Sequence, residues 1–272
     1  MTHRNLRLRR FYLATLLALI TALCAPGVAS VYTVHITPEN ERRLESFLTE
    51  RNRLAAEHPA ELSAPVSALF LQVPYGADTL IGSVSVPEQL VVELTRVDCF
   101  TYADYVEALK RSSNRTEFLT QLAQVRYRGG DVAFTQRRHF FTDWAADEPA
   151  NATDVTASLG APAERVAKVL NQKDSGGNYL PGLPLRPRTI LYLPSARVSD
   201  TVIANLRTGD YLGAYAEDGG LDVTHVGIFL HTAVGPVLRN ASSLQANNRV
   251  VDTPLPEYLK TVPGVVVLRP TR

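Results

Sequence analysis

The sequence predicts an α+β domain behind a short export leader. Three observations carry this. Helical patterns come mainly first and β-rich runs mainly last, which argues against alternating β-α-β units. The 272 residues are 45% hydrophobic, enough for one large core or two small ones. The first thirty residues are basic, then apolar, then small, the layout of a secretory signal peptide. Lys plus Arg is 28 and Asp plus Glu is 27, so the net charge is +1. That balance argues against nucleic-acid binding, which usually comes with a basic surplus. The apolar content excludes a disordered chain. Gly 16 and Pro 17 exclude a collagen-like or low-complexity one.

The leader holds Arg4, Arg7, Arg9 and Arg10 before an apolar run from Phe11 to Ala25. That run is shorter than the roughly 20 residues of a spanning helix. Its removal over 1–30 leaves 24 basic against 27 acidic residues, a net of −3. The mature chain then has no electrostatic attraction to nucleic acid or to anionic lipid, and no stable membrane partner is expected. The remaining 31–272 read as a single domain, with 31–90 as its N-terminal helical extension.

Residues 31–37 alternate weakly, as a short strand would. Thr37-Pro38-Glu39 is a cap, a proline and an acid in the order that starts a helix. Leu44, Phe47, Leu48 and Leu54 carry that helix over 39–57, and Pro59 stops it. Between 61 and 97 the pattern is mixed. Asp98 caps a helix that begins at Cys99 and runs to about Arg111. Asn114 with Glu117 starts a second one in a capping-box-like way. Residues 126–144 look strand-like and aromatic, 149–161 a loop, and 162–172 a helix before the turn at Asp174-Ser175-Gly176-Gly177. A β-rich run at 189–193 and a short helix at 200–206 follow. Strands are expected at 211–215, 223–231, 237–241 and 265–268, with a short helix at 256–260.

Loss of the leader removes Cys24 and leaves Cys99 as the one cysteine of an exported chain. It cannot form an internal disulfide, so it is either an inert buried side chain or a reactive nucleophile. A helix N-terminus favours the thiolate and can stabilise a substrate oxyanion. A nucleophilic cysteine needs a histidine and a third polar group to orient it. Among His35, His58, His139, His225 and His231, His225 has the best setting. Val226, Ile228 and Leu230 alternate with it, which places it on the opposite sheet face beside Gly227, where a missing side chain leaves room for substrate or for the cysteine helix. On the next strand Asn240 can accept from an imidazole N–H. Ser242 has the same parity and competes. No histidine or acid spacing fits a metal site, and no cofactor is implied.

These segments resemble a known family. Asp98-Cys99-Phe100-Thr101-Tyr102 resembles the Asp-Cys motif of the NlpC-type, papain-like cell-wall hydrolases. Gly209-Asp210-Tyr211 and His225-Val226-Gly227-Ile228 are similar to their next two motifs, in the same order. Arg138-His139-Phe140-Phe141-Thr142-Asp143-Trp144 is similar to a segment of the N-acetylmuramoyl-L-alanine amidase-like branch. So are Gly220-Leu221-Asp222-Val223-Thr224-His225 and Leu238-Arg239-Asn240-Ala241-Ser242-Ser243. The resemblance covers about Val91 to Arg269. It implies a papain-like α+β fold, with the cysteine helix packed on an antiparallel sheet. It implies hydrolysis of the amide between N-acetylmuramic acid and L-alanine, in peptidoglycan or muropeptides, through a thioester. Cys99 would be nucleophile, His225 base and Asn240 the orienting group, where the superfamily often has histidine. Arg138, His139, Asp143 and Trp144 would hold substrate, unless the aromatic residues there are simply core. The rivals are a stem-peptide endopeptidase of the same superfamily and a non-catalytic cell-wall binding module. Periplasm or extracellular space is the expected location.

Overall fold

A computed structural model describes residues 32–271. The expected leader over 1–30, with Cys24, lies outside them. The short strand β1 (Val34–Ile36) pairs in parallel with β2 (Leu90–Val92). Helix α1 (Pro38–Glu57) starts as its sequence requires: Thr37 Oγ1 accepts from the Asn40 N–H at 3.2 Å. Asn40 is buried and ties α1 inward, because its Oδ1 accepts from the Leu94 N–H at 2.7 Å. Helix α2 (Ser63–Ala68) follows, then α3 (Cys99–Lys110) and α4 (Arg115–Arg126). Asp98 caps α3, and its Oδ1 accepts from the N–H groups of Phe100 and Thr101 at 2.9 and 2.7 Å. Asn114 caps α4 in the same manner.

The later half builds an antiparallel sheet in the order β4-β5-β10-β6-β7-β8-β9. Its strands are β4 (Glu164–Leu170), β5 (Arg186–Pro194), β6 (Tyr211–Tyr215), β7 (Val223–Thr232), β8 (Gly235–Ser242), β9 (Arg249–Pro254) and β10 (Gly264–Pro270). A further strand, β3 (Ala152–Asp154), also pairs with β10. Among the described residues the remaining α-helices are short: α5 (Asp143–Ala146), α6 (Asp200–Asn205) and α7 (Leu255–Leu259). The sheet buries both faces. Val226, Ile228 and Leu230 join the larger cluster with α1, α3 and α4, whereas Phe229 and Leu238 join a smaller one with α6 and α7. Fully burying a side chain such as Leu44 or Phe70 is worth roughly 1.5–3 kcal/mol, so the larger cluster dominates the fold. Among the described residues no helix is long and apolar enough to cross a membrane.

Three expectations are corrected. The stretch 162–172 holds a strand, Glu164–Leu170, not a helix: β4 pairs with β5 along its whole length. Val166, Lys168 and Leu170 point inward. Lys168 is buried because its Nζ donates to the carbonyls of Ala216, Asp218 and Leu221 and lies 4.4 Å from the Tyr215 ring centre. A lysine at an inward position hides strand alternation. Residues 126–144 are not a strand. They are turns around Gly129 and Gly130, both at positive φ, followed by α5. The aromatic residues there, Phe140, Phe141 and Trp144, are core anchors. The stretch 149–161, expected as a loop, contributes β3.

Candidate active site

Cys99 is the first residue of α3, and α3 packs on β7 and β8. The β7–β8 ladder begins at Ile228↔Arg239, so His225, Val226 and Gly227 lie beyond it, toward the start of β7. The Val226 N–H, released there, counters the effect of burial on the Cys99 thiol, as do the backbone N–H groups at the start of α3. The thiol thus lies against the residue that follows His225.

His225 Nε2 is 3.0 Å from Asn240 Oδ1. The amide orientation is fixed from behind. Asn240 Nδ2 donates to the Leu238 carbonyl and to Thr253 Oγ1, both at 3.1 Å. Its oxygen therefore faces the imidazole and accepts from Nε2–H. The proton is held on Nε2, and Nδ1 keeps its lone pair. Ser242, the competing third group, accepts instead from the Leu244 N–H at 3.3 Å. Asn240 and Leu238 share a sheet face by parity. A Cβ on Gly227 would stand 2.7 Å from Leu238 Cδ1, so the room beside Gly227 is filled by that leucine rather than by substrate or the cysteine helix.

The electrostatics overturn one expectation. Burial pushes the Cys99 thiol up to about 12, and the Asp98 carboxylate adds to this, against the opposing backbone N–H groups. Burial also lowers the His225 imidazole below its usual 6.5, against the raising effects of Asn240 and Asp98. Thiol and imidazole are both neutral at pH 7. Desolvation outweighs the helix N-terminus here.

The other expected site residues form a neighbouring cluster. Arg138 is buried, and its guanidinium donates to the carbonyls of Gln124, Val125, Tyr127, Asp147 and Pro149. It fastens the turn-rich segment to the end of α4. His139 gives one ring nitrogen to the Phe134 carbonyl at 2.7 Å, and burial pulls it down to about 4. Asp143 has no exposed surface and accepts from Arg188 at 2.7 Å and from Arg186 at 3.3 Å. Trp144 is also fully buried, between Phe100 and Tyr211, and presents no face to a ligand. It supports the first turn of α3 through Phe100. Arg138 and His139 do line a cavity of about 190 Å³ that reaches Asp98 and Phe100. A larger cavity, about 780 Å³, lies at the other end of α3 against Glu107, Lys110 and Arg111. Among the described residues no three His, Cys, Asp or Glu side chains are grouped to hold a metal ion.

Two groups at the site escaped the sequence. Thr253 lies on β9, which had no clear strand pattern, and Tyr258 lies on α7 with its ring centre 6.4 Å from that of His225. Only the alternation Val250, Asp252 against Val251, Thr253 could have flagged the first.

The fold has counterparts among solved structures. An N-acetylmuramoyl-L-alanine amidase from Bacteroides uniformis is 28% identical, with a TM-score of 0.62, over 76% of this chain and 96% of that one. A putative xylanase from Bacteroides fragilis is 26% identical, with a TM-score of 0.60, over 75% of this chain and 98% of that one. A Legionella pneumophila protein shares the fold at a TM-score of 0.69 and 18% identity, over 85% of this chain and 95% of that one. No curated protein matches the chain. The match to the family described as N-acetylmuramoyl-L-alanine amidase-like spans residues 65–265, most of the chain, and the chain belongs to that family.

Proposed function

We propose that the protein is an exported cysteine amidase of the papain-like, NlpC-type kind. It would cut the amide between the lactyl group of N-acetylmuramic acid and L-alanine, in peptidoglycan or its fragments. The observation that carries this is the His225–Asn240 pair on β7 and β8, the two strands on which the Cys99 helix packs. Asn240 holds the proton on Nε2, which leaves Nδ1 as the base for a neutral thiol. Cys99 Sγ gives its proton to Nδ1 and attacks the carbonyl carbon. The Cys99 N–H helps bind the oxyanion. His225 returns the proton to the departing L-alanine nitrogen as the C–N bond breaks, and water hydrolyses the thioester. Arg138, Asp143 and Trp144 act in this scheme through the fold; His139 is left at the wall of the adjoining cavity. The family and the likeness to the Bacteroides uniformis amidase support this choice of substrate. The working form is residues 31–272 as one catalytic domain, in the periplasm or outside the cell.

The test is a digest of purified muropeptides by residues 31–272, wild type beside Cys99→Ala and His225→Ala, read by mass spectrometry. Wild type should release a peptide that starts with L-alanine, and both variants should lose turnover together, because nucleophile and base act as a unit. Dipeptide products alone would identify a stem-peptide endopeptidase. No product from wild type would leave the cell-wall binding module.

A further inference from the structure

The Tyr258 hydroxyl is buried and has no hydrogen-bond partner among the described residues. A buried hydroxyl without a partner costs stability. Its ring packs with the smaller apolar cluster, on the short helix α7 that lies against β8 and β9. This anchors the ring and leaves only the oxygen unemployed. The ring centre is 6.4 Å from His225, with a 45° tilt. The hydroxyl also lies within electrostatic reach of the Cys99 sulfur, and burial keeps it protonated, well above the usual tyrosine range. An uncommitted O–H donor therefore stands close to the base, and it is electrostatically coupled to the nucleophile.

We propose that Tyr258 is a catalytic residue whose hydroxyl donates a hydrogen bond to the oxyanion formed when Cys99 attacks a carbonyl. The proposal rests on the cysteine chemistry argued above, but not on the identity of the natural substrate. The negative charge of the tetrahedral intermediate develops on an oxygen one carbon away from Sγ. From the backbone of α3 the Cys99 N–H is one donor for it, and the Phe100 N–H is already taken by Asp98. A side-chain donor with no other partner needs no reorganisation when that charge appears. Tyr258 keeps its own proton throughout. The thiol proton goes to His225 Nδ1, the S–C bond forms, and the bond to the leaving group breaks.

The test uses 4-nitrophenyl acetate and iodoacetamide on wild type and Tyr258→Phe, over residues 31–272. Acylation of Cys99 by the ester passes through an oxyanion. Alkylation by iodoacetamide does not. Tyr258→Phe should slow acylation by 10- to 100-fold and leave the alkylation rate unchanged. The variant should melt at or above the wild-type temperature, because the hydroxyl it loses bonds nothing in the fold. Equal slowing of both reactions would place Tyr258 on the thiol rather than the oxyanion and overturn the proposal. So would unchanged acylation, or a wild type that is alkylated but never acylated. The muropeptide digest is read separately. Failure there with a normal acylation result would remove the substrate and leave the role of Tyr258 standing.

Discussion

Thr253 decides which way Asn240 faces, and so which nitrogen of His225 carries the proton. Its Oγ1 and the Leu238 carbonyl are the two acceptors that hold Asn240 Nδ2. Thr253→Val keeps the shape and removes one of them. A neutral hydrogen bond is worth about 0.5–1.5 kcal/mol, so kcat should fall by about three- to tenfold, with little change in melting temperature. Asn240→Ala should cost more, and it should also move the pH profile. His225 is lowered by burial and raised by Asn240. The acid limb of kcat/KM reports protonation of the free base, so it lies below pH 6.5 in wild type. Loss of Asn240 should shift it lower still. An unmoved limb would mean that Asn240 does not act through the imidazole. Cys99, His225 and Asn240 were legible because each sits in a local pattern: a cap, an alternating strand, the next strand in register. Thr253 was not, because its contact is made across β8 and β9. The direction of the thiol shift was also misjudged, since the burial that raises it has no local signature.

At the scale of the element, α3 carries two opposed demands on one residue. Asp98 caps the helix with Oδ1, which accepts from two backbone N–H groups and from Thr101 Oγ1. Its charge also opposes the thiolate at Cys99. Asn is as good a cap as Asp. Asp98→Asn should therefore leave stability within about 0.5 kcal/mol and speed alkylation of Cys99 by iodoacetamide at mildly alkaline pH. Asp98→Ala should speed it too, but at a loss of about 1 kcal/mol of stability. An Asn variant that alkylates no faster would remove Asp98 from the electrostatics of the thiol. This helix was legible in the sequence because its cap, first turn and apolar face agree. Strand β4 was not. Ala167, Lys168 and the flanking Glu164 and Arg165 favour a helix locally, and pairing with β5 overrides them. The turn-rich segment before α5 failed for the converse reason. Its aromatic residues favour strands, but each is committed to the core rather than to a ladder.

Across the whole molecule, that turn-rich segment is tied to α4 and to the sheet largely by buried polar groups, with little backbone pairing. Arg138 spans five carbonyls, Asp143 collects two arginines, and Asp222 accepts from both the N–H and the hydroxyl of Thr142. His139, in the same segment, bonds the Phe134 carbonyl and is held neutral down to about 4, chiefly by burial. In the unfolded chain its imidazole would titrate near 6.5. The folded state therefore refuses a proton that the unfolded state accepts, and stability contributed by His139 is full above pH 6.5 and falls as pH drops toward 4. By about pH 4.5 the loss should be on the order of 2 kcal/mol. Buried Asp104 and Asp222 are raised, so they act in the opposite sense and soften the total. A substitution isolates the histidine. In His139→Gln the amide can still donate to the Phe134 carbonyl but does not titrate. Urea unfolding at pH 7 and at about pH 4.5 should show a smaller stability loss in the variant than in wild type. Equal losses would mean that the acid sensitivity lies elsewhere, with His225 as the next group to replace. The packing around His139 also bears on Cys99, because Phe100 in the first turn of α3 rests on Trp144 from this same segment. Acid loosening of the segment should therefore lower activity below the His225 limb in wild type, and less so in His139→Gln.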